Sequence, residues 1–182
     1  MIKVRETSLP GVLVLVPAIF PDDRGVFWES FNLRDVTEAG LPATWVQDNF
    51  SLSSKNVLRG IHYQIARPQG KLIRVTHGKI LDVAVDLRRS SPTFAKHITI
   101  ELTGTSSEML WIPEGFGHGF LALTDQVGTA YKVTDYYNPH CERTIAWNDP
   151  DLSIPWPVDP AEVIISAKDR SGSLLKDAEI FP

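Results

Sequence analysis

A histidine and a lysine in the middle of the chain have the residue types and the spacing for acid–base chemistry. His62 lies inside the β-rich segment Val57–Gln64, which places an imidazole within a strand. Lys71 follows the turn sequence RPQG at 67–70, and we expect this turn to bring the chain back antiparallel, with Lys71 near His62. A lone strand histidine is more often structural than catalytic. A lysine that shares its cavity is unusual and indicates a site that acts on an anionic group.

A second histidine, His118, ends the run PEGFGH at 113–118 between two β-rich segments. Proline fixes one backbone angle and the glycines permit a tight turn, so the run directs His118 into the space that the strands enclose. The pattern resembles the second sequence motif of the cupin barrels. Many cupins hold a transition metal with this histidine, a glutamate and a His-x-His pair, but here Gln64 stands where the second histidine of the pair is expected. We therefore expect no metal and no cofactor, which leaves His62 available as a base.

Short β-rich segments separated by Gly and Pro must position these side chains. One helix is predicted at 32–39, with Asn32 as its N-cap and Gly40 as its stop. The predicted fold class is mainly β, a cupin-type antiparallel β-barrel or jelly roll with a few short helices, in one domain over residues 1–182. The predicted strands lie at 12–16, 26–31, 44–50, 57–64, 71–76, 79–87, 97–102, 108–112, 119–123, 128–137, 143–147 and 162–166.

Residues 79–87 alternate between an apolar face and a face that carries Asp82 and Asp86. A strand of this kind has one side against a hydrophobic layer. The side with the carboxylates either meets solvent or lines a polar barrel interior, which would mean a ligand cavity, and the alternation leaves both interpretations open.

Composition excludes several classes of protein. The 182 residues are 43% hydrophobic and 22% charged, which is ordinary for one globular domain and excludes a disordered chain. A net charge of -4 argues against nucleic acid as a partner. The single cysteine, Cys141, cannot form an internal disulfide, which fits a reducing cytoplasm. No stretch approaches the ~18 apolar residues of a membrane span and no secretory signal begins the chain, so we expect a cytoplasmic protein with no membrane partner.

Eight segments, taken in order, resemble the dTDP-4-dehydrorhamnose 3,5-epimerases, metal-free cupins that act on sugar nucleotides. The resemblance implies inversion at carbons 3 and 5 of dTDP-4-dehydro-6-deoxy-D-glucose, which gives dTDP-4-dehydro-L-rhamnose. It also implies a role in rhamnose biosynthesis for cell-surface polysaccharide, although the sequence leaves the product's destination open. The segments are FPDDRG (20–25), FWE (27–29), QDN (47–49), VLRGIHYQ (57–64), QGKL (69–72), IPEGFGHGF (112–120), YKVTDYY (131–137) and SAKD (166–169).

The resemblance also implies catalytic roles. His62 is the base, held by Asp169, and Lys71 lies beside the oxygen of the developing enolate. Tyr131 returns a proton from the opposite face. Such chemistry requires no redox or metal cofactor, because the ketone at carbon 4 already acidifies the protons on both neighbouring carbons.

The binding residues follow in the same way. Arg59 suits the pyrophosphate, because a guanidinium grips two oxygens at once, and Gln47 and Asn49 have the same parity on a strand, so their amides can face one ligand. Phe20 and Phe27 offer flat surfaces for the thymine. The remaining binding positions that the resemblance implies are Arg24, Glu29, His118, Glu142 and Lys168, of which Arg24 and Glu29 are expected to come from the second subunit of a homodimer.

One position does not fit a regular strand. Arg59 and His62 have opposite parity, yet the resemblance places both in the cavity. A β-bulge at Gly60 would reset the alternation. Without a bulge, Arg59 would line a rim while His62 faced inward.

Three alternative functions remain open on the sequence. An epimerase of one carbon only, or a ketoisomerase of a related dTDP-sugar, would share most of these residues. A non-catalytic nucleotide-sugar-binding cupin would need neither a base nor an opposed acid. A metal-dependent oxygenase is disfavoured, since the His-x-His pair is missing.

Overall fold

The computed structural model describes residues 2–182, which form fourteen strands and two short α-helices. None of the helices in this range is long and apolar enough to cross a membrane. In chain order the elements are β1 (Ile2–Glu6), β2 (Leu13–Pro17), β3 (Phe20–Asp22), β4 (Gly25–Phe27), α1 (Leu33–Glu38), β5 (Gln47–Ser53), β6 (Val57–Gln64), β7 (Lys71–His77), β8 (Lys79–Asp86), β9 (His97–Thr103), β10 (Met109–Ile112), β11 (Phe116–Ala122), β12 (Val127–Val133), β13 (Glu142–Thr144), β14 (Ile164–Ile165) and α2 (Ala167–Arg170).

Two sheets make up the framework. The first has the strand order β1-β2-β10-β7-β12-β5, and the second has the order β13-β6-β11-β8-β9, with β14 added parallel to β6. The other pairings between these strands are antiparallel, and β3 and β4 form a separate two-stranded ribbon. The predicted mainly β, cupin-type class is confirmed in its jelly-roll form, because the sheets do not close into one barrel.

Strand β8 shows how the interior is divided. Ile80 and Ala84 belong to the apolar cluster between the sheets, whereas Val83 and Val85 pack into a second cluster on the outer face. Asp82 lies on the same inward face as Ile80 and is fully buried. The interpretation that this carboxylate face meets solvent is therefore wrong, and the polar-interior interpretation holds for Asp82.

Several boundaries differ from the sequence prediction for identifiable reasons. The helix at 32–39 is present as α1, and the Asn32 side chain caps it as expected. The strand predicted at 26–31 ends at Phe27, because the chain then turns so that Phe31 packs edge-on against Trp45, with 5.7 Å between ring centroids. Strand β1 was missed, because three of its five residues are charged and four of the five are exposed, which leaves only Ile2 and Val4 as a weak apolar signal.

Candidate active site

A polar cavity of about 670 Å³ opens at one end of the space between the two sheets. This volume lies within the range of small-ligand sites. Ten of the fourteen site residues predicted from the sequence line it: Gln47, Asn49, Arg59, His62, Lys71, His118, Tyr131, Glu142, Lys168 and Asp169. The sequence prediction therefore brought together residues from both sheets and from α2.

His62 and Asp169 form a hydrogen-bonded pair, with His62 Nε2 and Asp169 Oδ1 2.5 Å apart. Asp169 is buried in the first turn of α2, where its backbone N–H donates to the N-cap hydroxyl of Ser166 at 3.1 Å. Burial raises the pKa of Asp169, but the hydrogen bond and charge attraction with His62 outweigh it, and the pKa is lowered from its usual value. The carboxylate is thus ionised at neutral pH and can orient the ring and stabilise its protonated form.

Tyr131 reaches the cavity from the other sheet, on β12, whereas His62 lies on β6. Burial raises the pKa of the Tyr131 phenol, and Arg59 lowers it by a smaller amount. The phenol therefore stays protonated at neutral pH and can donate a proton. A ligand held between the sheets has the imidazole on one side and the phenol on the other.

Lys71 begins β7 and is buried, and its Nζ donates to the backbone carbonyl of His62 at 3.2 Å. Its predicted proximity to His62 is confirmed, but the predicted hairpin is wrong. Strands β6 and β7 belong to different sheets, so the chain crosses between the sheets rather than pairing with itself. Burial lowers the pKa of Lys71 to about 8, and the charges of Glu142 and Asp82 oppose part of that effect.

His118 forms a second histidine–aspartate pair beside the first. Its Nε2 lies 3.0 and 3.1 Å from the two carboxylate oxygens of Asp82 on the neighbouring strand β8. His118 and His62 are register partners on β11 and β6. Two imidazoles, each fixed by its own buried carboxylate, therefore line the same wall of the cavity.

The predicted bulge lies between Arg59 and His62. The register with β11 shifts there, since His62 pairs with His118 but Arg59 pairs with Phe120, which leaves one extra residue on β6. Gly60 has a positive φ of 122°, and a Cβ at this position would come within 2.5 Å of Gly119 Cα, so only glycine fits. The bulge is confirmed, and it allows both Arg59 and His62 to line the cavity.

Three charged or polar side chains form the mouth of the cavity. Glu142 accepts a hydrogen bond from Lys168 Nζ at 2.8 Å and another from the Tyr137 hydroxyl at 2.9 Å. Burial raises the pKa of Glu142, but these two partners lower it overall. Tyr137 was missed as a site residue because the sequence predicted it to lie in a strand ending at residue 137, whereas β12 ends at Val133.

Four predicted site residues do not line the cavity of their own chain. Arg24 is bound to Asp22 at the turn of the β3–β4 ribbon, and Glu29 accepts a hydrogen bond from Asn32. Phe20 and Phe27 are 57% and 65% exposed on the ribbon, which leaves them available to another molecule. The assignment of Arg24 and Glu29 to a neighbouring subunit stays a prediction, as does the role of the two phenylalanines as surfaces for the thymine.

The described part of the chain, residues 2–182, holds no group of three or more His, Cys, Asp or Glu side chains placed to bind a metal ion. The Gln64 amide, at the position of the second cupin histidine, is buried and occupied by hydrogen bonds to backbone groups.

Comparison with known proteins points to one family. The sequence profile of dTDP-4-dehydrorhamnose 3,5-epimerase matches residues 6–177. The chain is 48% identical to the dTDP-4-dehydrorhamnose 3,5-epimerase of Pseudomonas aeruginosa over 99% of each chain. It superposes with a TM-score of 0.95 and 42% identity on the dTDP-6-deoxy-D-glucose-3,5-epimerase of Legionella pneumophila in complex with dTDP-4-keto-L-rhamnose, covering 98% of this chain and 95% of that one.

A more distant structure is ChmJ, a 3'-monoepimerase from Streptomyces bikiniensis in complex with dTDP-quinovose. Its TM-score is 0.87 at 33% identity, over 93% of this chain and 86% of that one. The profile match covers most of the chain, and both the Pseudomonas enzyme and the Legionella structure match over nearly their full length. The chain belongs to the dTDP-4-dehydrorhamnose 3,5-epimerase family.

Proposed function

We propose that this chain inverts carbons 3 and 5 of dTDP-4-dehydro-6-deoxy-D-glucose and so produces dTDP-4-dehydro-L-rhamnose. The observation that carries the proposal is the placement of the His62–Asp169 pair and of Tyr131 on opposite sheets, with one cavity between them. Inversion at carbon requires a base on one face and an acid on the other. Membership of the epimerase family supports the same reaction.

The reaction begins when His62 takes the proton from a carbon beside the ketone. The electron pair of the C–H bond moves to the oxygen at carbon 4, and the Lys71 cation stabilises the enolate that forms. Tyr131 then donates its proton to the carbon from the opposite face, which inverts the centre. Once His62 has released its proton to solvent and the Tyr131 phenolate has taken one up, the same two residues can act on the second carbon, which flanks the same ketone.

The remaining cavity residues suit the nucleotide and the sugar. The Arg59 guanidinium is exposed in the cavity wall, where its Nε donates to Ser53 Oγ at 3.1 Å and its Nη2 makes a long contact of 3.5 Å with the Leu52 carbonyl. Nη1 is therefore the nitrogen most available to the pyrophosphate. Gln47 and Asn49 are linked by a 2.7 Å hydrogen bond and face the same ligand. We assign His118, Glu142 and Lys168 to substrate binding as well.

We further propose that the active form is a cytoplasmic homodimer and that residues 1–182 act as one domain. In the dimer, the β3–β4 ribbon of one subunit contributes to the other subunit's site. Arg24, Glu29, Phe20 and Phe27 would then reach the nucleotide, with an aromatic ring against the thymine. The exposure of both phenylalanines supports this arrangement, because large apolar rings are costly to leave in water.

One alternative has a specific observation in its favour, namely the structural similarity to a 3'-monoepimerase. Incubation with the 4-keto sugar nucleotide in deuterated water separates the possibilities. We expect deuterium at both carbons 3 and 5, with both centres inverted. Deuterium at carbon 3 alone would indicate a monoepimerase, and deuterium at neither carbon would indicate a binding protein and contradict the proposal.

A further inference from the structure

The loop that follows β12, residues 134–138, is held in place by side-chain amides from three other segments. Gln69 Nε2 donates to the carbonyl of Asp135 at 2.7 Å, and Gln47 Oε1 accepts the N–H of Tyr137 at 3.1 Å. The Asp135 carboxylate is bound by both Nε and Nη2 of Arg67, at 3.0 and 2.7 Å. Backbone groups of Asp135, Tyr136, Tyr137 and Asn138 are thus each bonded to a side-chain amide outside the loop, which restricts the movement of this surface connection.

Gln64 makes the most enclosed of these contacts. It is only 3% exposed, and its Oε1 accepts the N–H of Asn138 at 2.7 Å. Its Nε2 donates to the carbonyl of Tyr136 at 3.3 Å and to that of Arg67 at 2.7 Å. The two loop residues that Gln64 binds are the neighbours of Tyr137 on either side, so this one amide fixes the backbone at Tyr137.

The loop presents the Tyr137 ring at the cavity mouth. Tyr137 lines the cavity, is 51% exposed, and donates its hydroxyl proton to Glu142. Glu142 is the register partner of Gln64 on β13, so the same pair of strands holds both the backbone and the hydroxyl of Tyr137. The ring is therefore held in a fixed position at the cavity mouth.

We propose that Gln64 is a positioning residue for sugar-nucleotide binding and that it acts through Tyr137. The inference rests on the proposed function, since it takes the sugar nucleotide as the ligand. Glutamine suits this position because it must accept one hydrogen bond and donate two in the same plane, and no aliphatic or acidic residue of similar size can do so. Gln64 itself contacts backbone rather than the ligand, so its effect falls on affinity and leaves the chemistry of His62 and Tyr131 intact.

The test is a double-mutant cycle on the binding of dTDP-glucose, measured by calorimetry. This probe has a hydroxyl at carbon 4 in place of the ketone, so it reports affinity alone. We expect Gln64→Leu and Tyr137→Ala each to raise Kd about tenfold, and the double variant to bind within about twofold of Tyr137→Ala alone. With the 4-keto substrate, KM should rise in Gln64→Leu while kcat stays within about threefold of the unsubstituted chain.

Tyr63→Phe is the matched control, because Tyr63 directly precedes Gln64 on β6 and its hydroxyl donates to the backbone carbonyl of Glu179 on the outer face of the sheet. This variant loses one buried hydrogen bond from the same strand and should keep the original Kd. If Gln64→Leu does not fold, Gln64→Glu keeps the size and one acceptor but sets a carboxylate oxygen against two carbonyls. It should give the same pattern in the cycle with Tyr137→Ala.

Additive effects in the cycle, an unchanged Kd in the Gln64 variants, or a kcat that falls as far as the affinity would each overturn the inference. A failure of the proposed function looks different. In that case the unsubstituted chain would not bind dTDP-glucose or would not exchange deuterium into the 4-keto sugar.

Discussion

The two histidine–aspartate pairs have the same residue types and very different surroundings. In the first pair the His62 side chain is 25% exposed to the cavity, and its aspartate comes from α2, far along the chain. In the second pair the His118 side chain is 10% exposed, and Asp82 is fully buried on the adjacent strand. The second pair lies within one sheet, whereas the first joins a sheet to a separate helix.

This difference is the reason that we assign proton transfer to the first pair. A base must be reached by the substrate, and it must gain and lose a proton without disturbing the sheet that carries it. His62 meets both conditions, since its aspartate sits on a short helix at the cavity wall. His118 and Asp82 are enclosed by strands on both sides, so we assign them to shaping and binding, with a fixed imidazole facing the ligand.

Substitution of the two histidines should give the largest difference in activity between the two pairs. His62→Ala removes the base, and we expect kcat to fall about 10²–10⁴-fold. His118→Asn removes a binding contact and should raise KM more than it lowers kcat. Steady-state kinetics on the 4-keto sugar nucleotide check both variants. An equal loss of kcat in the two variants would mean that the second pair also takes part in the chemistry.

Substitution of the two aspartates should also affect the two pairs differently. Asp169→Asn keeps the shape but removes the charge that stabilises protonated His62, so kcat should fall about 10- to 100-fold. Asp82→Asn should reduce thermal stability and leave kcat within about tenfold, because the proposed mechanism gives His118 no proton to exchange with the substrate. Kinetics together with thermal unfolding distinguish the two effects. A larger kcat loss in Asp82→Asn than in Asp169→Asn would reverse the assignment.

The same comparison shows what the sequence could and could not predict. Local patterns sufficed for β6 as Val57–Gln64 and for the helix after Asn32, because each depends on neighbouring residues. The bulge at Gly60 was suggested only when strand parity was combined with the family resemblance. The alternation of polar and apolar residues in β8 placed Asp82 on one face of the strand. It could not show whether that face lies in the protein interior, because this depends on which other strands cover it.

Contacts between segments that are distant in the chain could not be predicted from local sequence patterns. Asp169 meets His62 only because α2 docks against β6, and its role came from the family resemblance rather than from its neighbours. Lys71 was predicted to approach His62 through a hairpin, whereas the chain in fact crosses between sheets. Tyr137 could have been found only by recognising that Thr134 and Asp135 bind the loop before β7, which ends the strand early.

The pH dependence should separate Lys71 from both imidazoles. Burial lowers the pKa of Lys71 to about 8 from its ordinary 10.5, so the cation is present below pH 8 and is lost as the pH rises through that value. We expect kcat/KM to fall about tenfold per pH unit above pH 8. Lys71→Arg should move this limb to higher pH, because a guanidinium stays charged.

The control for this profile is Lys132→Met, on the neighbouring strand β12. Lys132 is paired with Asp48 at 2.8 Å rather than with any group of the two histidine pairs. Its substitution should leave the alkaline limb in place. A limb that moves in the Lys132 variant, or that persists unchanged in Lys71→Arg, would assign the titration to another group.

The smallest expected effect belongs to Cys141, which lies outside both pairs. Cys141 is partly buried just before β13 and does not line the cavity. Cys141→Ser should therefore keep activity within about threefold, since no step of the mechanism uses a thiolate. Near-complete loss of turnover in this variant would reopen a nucleophilic mechanism.

We propose that His62 and Tyr131 act on opposite faces of the sugar. The most direct test of this arrangement is the behaviour of Tyr131→Phe in deuterated water. The substitution keeps the ring and removes only the donated proton. Proton abstraction by His62 should continue, so we expect deuterium to enter carbons 3 and 5 with their configuration retained. The rate of net inversion should fall much further than the rate of deuterium exchange. Loss of exchange and inversion in equal proportion would show that Tyr131 is needed to form the enolate, and would contradict the two-face assignment.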